Sequence, residues 1–497
     1  MLTPKPAPSR SMAALVTACF AEVLKIPVDK LAPDAPLDRF GMDSVSALEI
    51  VATLERHLGP LPPTILFEHP TIAQLSAALG ENAHSSSPRH SREGGNPEGA
   101  PPPFPQLLDP RLRGGDDEKG GNIAIIAVAG RYPGADSPEA LWAALEQGRD
   151  LVTEVPPDRF DPAYAPAKGK PGASYCKWGG FLADVDRFDA EFFGYSPRAA
   201  ALADPQERLF LQTAWHLLER AGHTRARLRR QYDSRIGVFV GAMYQHYSAL
   251  ADDADSKALL RLNSYAGIAN RVSFFFDLQG PSVAVDSMCS SALQAVHQAC
   301  QSLRAGECRL AIAGGVNLSL IADKYVGLSR AGLVGSSAAS RSFADGDGYL
   351  PAEGVGAVLL KPLSQAITDG DAVIAIIKAS SANHGGHSAG FGVPSADAQA
   401  QLIEDNIRQS GIDARSIGYV EAAANGAALG DAIELRALTR AFRALGVADG
   451  SIAIGAVKSN MGHAEAASGM AQLTKVLLQL QHRCLAPTLR PDAANRA

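Results

Sequence analysis

Val283-Ala284-Val285-Asp286-Ser287-Met288-Cys289-Ser290-Ser291-Ala292-Leu293 runs from an apolar strand, through a turn of small residues, into a helical pattern. Such a run holds a thiol at a helix start. A free cysteine, with a pKa of about 8.5, is only slightly ionised at neutral pH, and the N-terminal end of a helix stabilises the thiolate, the nucleophilic form. A buried core cysteine fits the same eleven residues equally well. What breaks the tie lies in a second run downstream, Val457-Lys458-Ser459-Asn460-Met461-Gly462-His463-Ala464-Glu465-Ala466-Ala467-Ser468-Gly469.

Around these runs the chain has 497 residues, too many for one ordinary domain at about 100–200 residues each, so two or three units are expected. An apolar fraction of 46%, a charged fraction of 20% and a net charge of −6 describe a globular protein with no electrostatic reason to bind nucleic acid or an anionic membrane. The six cysteines, Cys19, Cys176, Cys289, Cys300, Cys308 and Cys484, lack CxxC spacing. They read as reduced thiols of a cytoplasmic protein, with no disulfide frame and no zinc site. Lys5 and Arg10 precede an apolar run from Met12 to Ala21, in which Val16-Thr17-Ala18-Cys19 loosely resembles a lipoprotein cleavage box. Against that, Glu22 and Lys25 continue a helical alternation that puts Leu15, Cys19, Val23 and Ile26 on one face. No other apolar run approaches the roughly 18 residues of a membrane span.

Residues 1–80 read as a small helical unit. Its first helix is the one just described, and a loop rich in Pro and Asp follows from Ile26 to Phe40. A second helix starts near Asp43 with Val45, Leu48, Val51 and Leu54 in phase, and a last one follows Pro70 with Ile72, Leu75 and Leu79. Residues 81–120 are dominated by Ser, Arg, Pro and Gly and read as a disordered linker. From Ile123 onward, strands such as Ile123 to Val128, Ile236 to Val240, Leu310 to Ala313 and Ala357 to Leu360 alternate with helices such as Arg208 to Arg220 and Ala292 to Arg304. That alternation is the signature of an α/β domain over residues 121–497.

Phe40-Gly41-Met42-Asp43-Ser44-Val45-Ser46-Ala47-Leu48-Glu49 places a serine at the mouth of a helix, where Asp43 or Ser44 can serve as the N-cap and Ser46 with Glu49 has capping-box spacing. With its flanking helices the run resembles an acyl carrier protein, whose Asp-Ser-Leu motif bears 4′-phosphopantetheine on the serine. By that resemblance Ser44 carries the covalent cofactor, and Val45 departs from the motif.

Residues 121–497 resemble a ketosynthase of modular polyketide synthases. The resemblance rests on Ala203-Asp204-Pro205-Gln206-Glu207-Arg208, Gly280-Pro281-Ser282, Asp286 to Leu293, Asp347-Gly348-Tyr349, Glu353-Gly354-Val355-Gly356 and Lys458 to Gly469. Asn383-His384-Gly385-Gly386, with Gly390 and Val393-Pro394, most resembles assembly lines whose acyltransferase is a separate protein. His384 and His387 also fit one half of a metal site, without further ligands in sequence. The fold implied is a four-helix carrier domain followed by a thiolase-like, layered α/β/α/β/α domain. The partners implied are carrier domains upstream and downstream, a phosphopantetheinyl transferase and a second copy of the chain in a homodimer.

Family chemistry uses a cysteine to accept an acyl group and two histidines to stabilise charge as a malonyl group loses CO2. Cys289, His463 and the supporting Lys458 match by resemblance. The other histidine belongs to Glu-Ala-His-Gly-Thr-Gly-Thr, and the corresponding run is Glu421-Ala422-Ala423-Ala424-Asn425-Gly426-Ala427-Ala428. Ala423 stands at the histidine position. A methyl group neither donates a hydrogen bond nor moves a proton, and each such loss costs about 10²–10³ in rate. Thioester exchange onto Cys289 is therefore expected without elongation. A compensating His384 or His387 in an active condensing enzyme, and a docking scaffold without chemistry, are the alternatives. Ala352 replaces the usual glycine before Glu353, and the chain ends at Ala497 before a Gly-Phe-rich oxyanion turn of the family. That ending predicts a C-terminally truncated ketosynthase with an incomplete second half.

Overall fold

The computed structural model describes residues 11–40, 42, 44–59, 61, 65–81, 121–161, 163–166, 168–344, 346–387 and 393–489. The predicted linker lies, apart from Glu81, outside the described residues. By internal contacts the chain divides into two compact units, one spanning Met1–Phe104 with Arg187–Ala203 and the other Pro105–Asp186 with Asp204–Ala497.

In the first unit α1 (Met12–Leu24), α2 (Ser44–Leu58), α3 (Ile65–Glu68) and α4 (Ile72–Glu81) enclose one apolar core. The Ser11 hydroxyl caps α1 by accepting from the Ala14 amide at 3.3 Å, and Lys25, with φ of 59°, ends it. The buried stripe of α1 is Val16, Cys19, Phe20, Val23 and Leu24, so the expected face is rotated. Leu15 and Ile26 lie only at its margin, because the helix stops at Leu24 before Ile26 can join the face. Phe20, Leu24, Ile50, Leu54, Ile72 and Leu75 are fully buried, each contributing about 1.5–3 kcal/mol of transfer free energy. The Pro- and Asp-rich connection contains two short 3-10 turns, Val28–Lys30 and Leu37–Phe40. Asp43 lies outside the described residues.

The second unit is built on strands β1 (Ile123–Arg131), β2 (Thr153–Glu154), β3 (Trp178–Gly179), β4 (Ile236–Gly241), β5 (Ser282–Val285), β6 (Leu310–Asn317), β7 (Gly354–Pro362), β8 (Ala375–Ile377), β9 (Tyr419–Glu421) and β10 (Ala453–Gly455). Six of them form a mixed sheet in the order β5-β4-β6-β7-β1-β8. Its β4 pairs in parallel with β5 and β6, while β7 is antiparallel to both β6 and β1. The central strands are buried along nearly their whole length, which is why they read as continuous apolar runs. Ala311 and Ala313 of β6 join one core with the helices Ser291–Arg304 and Ser468–His482. Gly314, next after Ala313, faces the other side, where an added Cβ would lie 2.8 Å from the ring of Phe210 in the helix Pro205–Arg220. Helices therefore cover both faces.

β9 and β10 form a second, parallel pair. Phe343, Ala422, Ala424 and Ala456 bury themselves beside it. Among the described residues no helix is long and apolar enough to cross a membrane.

Candidate active site

Cys289 sits in a strained turn. β5 ends at Val285, Ser287 bridges Cys289, and Met288 between them has φ of 58°, a left-handed conformation that a long side chain adopts only when its surroundings impose it. Those surroundings are local hydrogen bonds. The Asp286 carboxylate accepts from the Met288 amide at 3.0 Å, the Ser291 hydroxyl accepts from the Ser287 amide at 2.9 Å and donates to the Met288 carbonyl at 2.6 Å, and the Ser290 hydroxyl donates to the Ser287 carbonyl at 2.8 Å. The small residues of the sequence are thus the braces of the turn.

Two glycines let the second run approach the helix that follows. A Cβ on Gly469 would fall 2.5 Å from Leu293 Cγ, and one on Gly315 would fall 2.8 Å from Ala292 Cβ and 3.0 Å from the Ala466 carbonyl. The segment bearing Lys458, His463 and Glu465 is brought in this way against the start of the helix Ser291–Arg304. The two runs, some 170 residues apart in sequence, lie side by side in the fold.

The thiol is half-buried, and its ionisation differs from the expectation drawn from the helix start. Burial pushes it up to about 11; the Glu465 carboxylate acts in the same direction, while Lys458 and Lys324 pull it down without compensating. A helix terminus contributes about 0.3–1 kcal/mol, less than one pKa unit, whereas desolvation alone moves buried groups by several units. Cys289 is therefore a neutral thiol at neutral pH.

His463 is buried, and its Nδ1 accepts a hydrogen bond from the Glu465 amide at 2.9 Å. A neutral imidazole carries one proton, so this bond leaves Nε2 as the donor. Burial, with Lys458 and Lys324 nearby, holds the ring well below the usual histidine range and so uncharged. Its backbone is pinned on both sides, the His463 amide to the Leu350 carbonyl at 2.7 Å and the His463 carbonyl to the Ala352 amide at 2.8 Å. The Ala352 methyl group therefore sits at a strand-like pairing, 1% exposed. The Tyr349 ring packs on the imidazole at 4.9 Å.

Lys458 is buried at the start of the short helix Lys458–Met461 and donates to Gln472 Oε1 at 3.3 Å. Burial lowers its pKa, opposed chiefly by Glu434 and Glu421. Gln472 in turn donates from Nε2 to the Ala422 carbonyl at 2.9 Å, which ties Lys458 to the loop of Ala423. In that loop the Glu434 carboxylate accepts from the amides of Ala423 and Ala424 at 2.7 and 2.8 Å, and Asp431 accepts from Gly426 and Phe343 at 3.2 and 2.9 Å. Glu421 pairs with Lys475 at 2.9 Å. Ala423 itself is exposed.

His384 and His387 are exposed, and His384 Nδ1 accepts from the Gly386 amide within its own turn at 2.9 Å. Among the described residues no group of three or more metal-ligating side chains occurs. Sequence reading gave no role to Glu434, Gln472, Tyr349, Lys324 or Glu465. Glu465 was visible two residues past His463, and Glu434 eleven past Ala423, but nothing in sequence distinguishes such carboxylates from solvated ones.

Comparison with known proteins decides the family. The family described as "Beta-ketoacyl synthase, N-terminal domain" matches residues 121–366 and "Beta-ketoacyl synthase, C-terminal domain" matches residues 374–491. The chain belongs to the beta-ketoacyl synthases. Residues 14–79 match "Phosphopantetheine attachment site", so the ketosynthase is joined to a domain that takes 4′-phosphopantetheine covalently on a serine. The chain is 41% identical over 500 residues to polyketide synthase PksL of Bacillus subtilis, covering 96% of this chain and 11% of that protein. It is 43% identical over 521 residues to polyketide synthase ThaG of Burkholderia thailandensis, covering 97% and 9%.

Among solved structures, the oxazolomycin ketosynthase domain OzmH KS7 of Streptomyces albus JA3453 is 48% identical with a TM-score of 0.71, over 76% of this chain and 65% of that one. The ketosynthase from module 6 of the bacillaene synthase of B. subtilis 168 is 36% identical with a TM-score of 0.70, over 76% and 64%. The chain thus spans about a tenth of the length of these curated relatives and under two thirds of these structures. The fold is thiolase-like, as expected. The expected truncation is corrected: the match over residues 374–491 shows the C-terminal domain to be present. Among the described residues its strands are β8, which joins the six-stranded sheet, and the parallel pair β9 and β10.

Proposed function

We propose that this ketosynthase accepts an acyl chain by thioester exchange at Cys289 and passes it on without decarboxylative elongation, as one segment of a polyketide assembly line. The observation that carries the reading is Ala423: its loop is held by Glu434, Asp431 and Gln472, yet the side chain it presents is a methyl group.

Ser44 is the residue that would hold 4′-phosphopantetheine. Its hydroxyl supplies the one oxygen a phosphodiester needs, and the first turn of α2, which Ser44 opens, carries no acidic residue to repel a phosphate. When attached, the group supplies a thiol on a long arm that holds an acyl chain as a thioester. A phosphopantetheinyl transferase is the partner that installs it.

At the ketosynthase, Cys289 Sγ attacks the carbonyl carbon of an acyl thioester delivered by an upstream carrier domain. The new C–S bond forms as the old one breaks, and the Cys289 proton ends on the departing sulfur. His463, neutral and protonated at Nε2, donates to the carbonyl oxygen as negative charge builds there. Lys458, through Gln472, holds the neighbouring loop in place. Return of the acyl group to a downstream carrier repeats the exchange in reverse. Loss of CO2 from a malonyl group asks for a second donor to stabilise the carbanion, and Ala423 has none to give.

A homodimer fits the exposed edge of the sheet: Val283 of β5 is 37% exposed, and Phe274 of the neighbouring helix Tyr265–Phe276 is 75% exposed. The raised Cys289 thiol is the one observation that favours a docking scaffold without chemistry. Single-turnover incubation with an acyl thioester, followed by intact-protein mass spectrometry of wild type and Cys289→Ala, separates the two. The expected result is an acyl adduct on wild type alone and no two-carbon-longer product when malonyl carrier is added. No adduct on wild type leaves the scaffold; efficient extension overturns the non-elongating reading.

A further inference from the structure

Behind His463 lies a buried charged cluster that the transfer step does not use directly. Lys324 and Glu465 form an ion pair with Nζ to Oε2 at 2.5 Å, their side chains 1% and 0% exposed. The same Oε2 accepts from Asn317 Nδ2 at 2.9 Å, and Oε1 accepts from the Tyr349 hydroxyl at 3.1 Å. The three anchors come from three places: the helix Ala322–Arg330, the end of β6 and the segment before β7. Lys324 also donates to the Leu318 carbonyl at 3.2 Å and lies 4.7 Å from the centre of the Tyr244 ring.

Such a cluster is poor evidence for stability, because desolvating two charges offsets most of their attraction and an apolar trio would pack as well. What it does fix is the backbone of residue 465. Glu465 has φ of 45°, a conformation that a non-glycine residue keeps only when its surroundings over-determine it. In that conformation its amide points at His463 Nδ1. Were residue 465 to relax, Nδ1 would lose its donor, and the imidazole proton would be free to sit on either nitrogen.

We infer that Glu465, clamped by Lys324, Asn317 and Tyr349, is a positioning residue that fixes the tautomer of His463. The inference deepens the proposed function, since it rests on His463 donating from Nε2 to the thioester carbonyl. Tyr349 serves twice, bonding Oε1 of Glu465 and packing its ring on the imidazole it helps to orient. The pair also sets the field at Cys289, the carboxylate raising the thiol and the ammonium lowering it.

The test is nitrogen NMR of the full chain labelled with 15N-histidine, with His463 assigned by its loss in His463→Gln, alongside the rate of Cys289 acylation. Wild type is expected to show His463 wholly protonated at Nε2. In Glu465→Ala, mixed tautomers and a fall of about 10²-fold in kcat for acylation with KM unchanged are expected, the size of one lost oxyanion donor. Tyr349→Phe removes one anchor at constant ring volume and is the second variant should Glu465→Ala not fold; a partial shift toward the Nδ1 proton and a smaller loss in kcat are expected. A His463 that stays wholly Nε2-protonated in the folded variant, with acylation at the wild-type rate, overturns the inference. Absence of acylation in wild type would instead defeat the reading of His463 as donor, while the tautomer signal still decides the clamp.

Discussion

The loop at His463 and the loop at Ala423 are built alike and end differently. In each, a glutamate two or eleven residues away makes the bond: the Glu465 amide donates to His463 Nδ1, and the Glu434 carboxylate accepts from the amides of Ala423 and Ala424. In one the scaffold presents an imidazole of defined tautomer; in the other it presents a methyl group. Because backbone amides carry the second loop, these hydrogen bonds do not depend on the side chain at position 423.

The largest effect that can break this comparison is at the thiol. Cys289→Ala is expected to abolish the acyl adduct completely, read by intact mass, while the melting temperature stays within a few degrees; an adduct elsewhere on the ketosynthase would show that the site is misplaced. Next comes Ala423→His. With Glu434 already holding the loop, a restored ring is expected to raise malonyl decarboxylation by about 10²–10³, the size of one recovered donor. A variant that folds but gains nothing would mean that the loop of Ala423 has lost more than a side chain.

Smaller effects sharpen the picture. With the Cys289 thiol raised to about 11, thiolate increases with pH throughout the neutral and mildly alkaline range. Alkylation of Cys289 by iodoacetamide should therefore rise close to tenfold per pH unit from 7 to 10, since the thiolate is the reactive form. A plateau below pH 9 would place the thiol near its ordinary value and remove burial as the dominant influence. Glu434→Ala should cost about 1–3 kcal/mol of stability by leaving two loop amides without their acceptor, measured by denaturant unfolding. Acylation of Cys289 is expected to survive that change, because the hydrogen bonds of Glu434 go to the loop of Ala423 and it acts on the His463 side only through the charge of Lys458.

The helices of the carrier domain and the strands around β1 and β6 were legible because burial imposes a period on apolar residues, and Ile72, Leu75 and Leu79 are all buried as read. The face of the first helix was misplaced because one left-handed residue, Lys25, ends it before Ile26. Cys289, His463 and Lys458, proposed as the site residues, and Ala423 at a histidine position were named in sequence for a different reason, the resemblance of their runs to ketosynthase motifs. Tertiary structure alone decided the ionisation of Cys289, the tautomer of His463 and the partnership of Lys324 with Glu465, residues 141 apart. Those depend on desolvation and on distances of a few ångströms between segments remote in the chain, quantities that no local pattern of residues encodes.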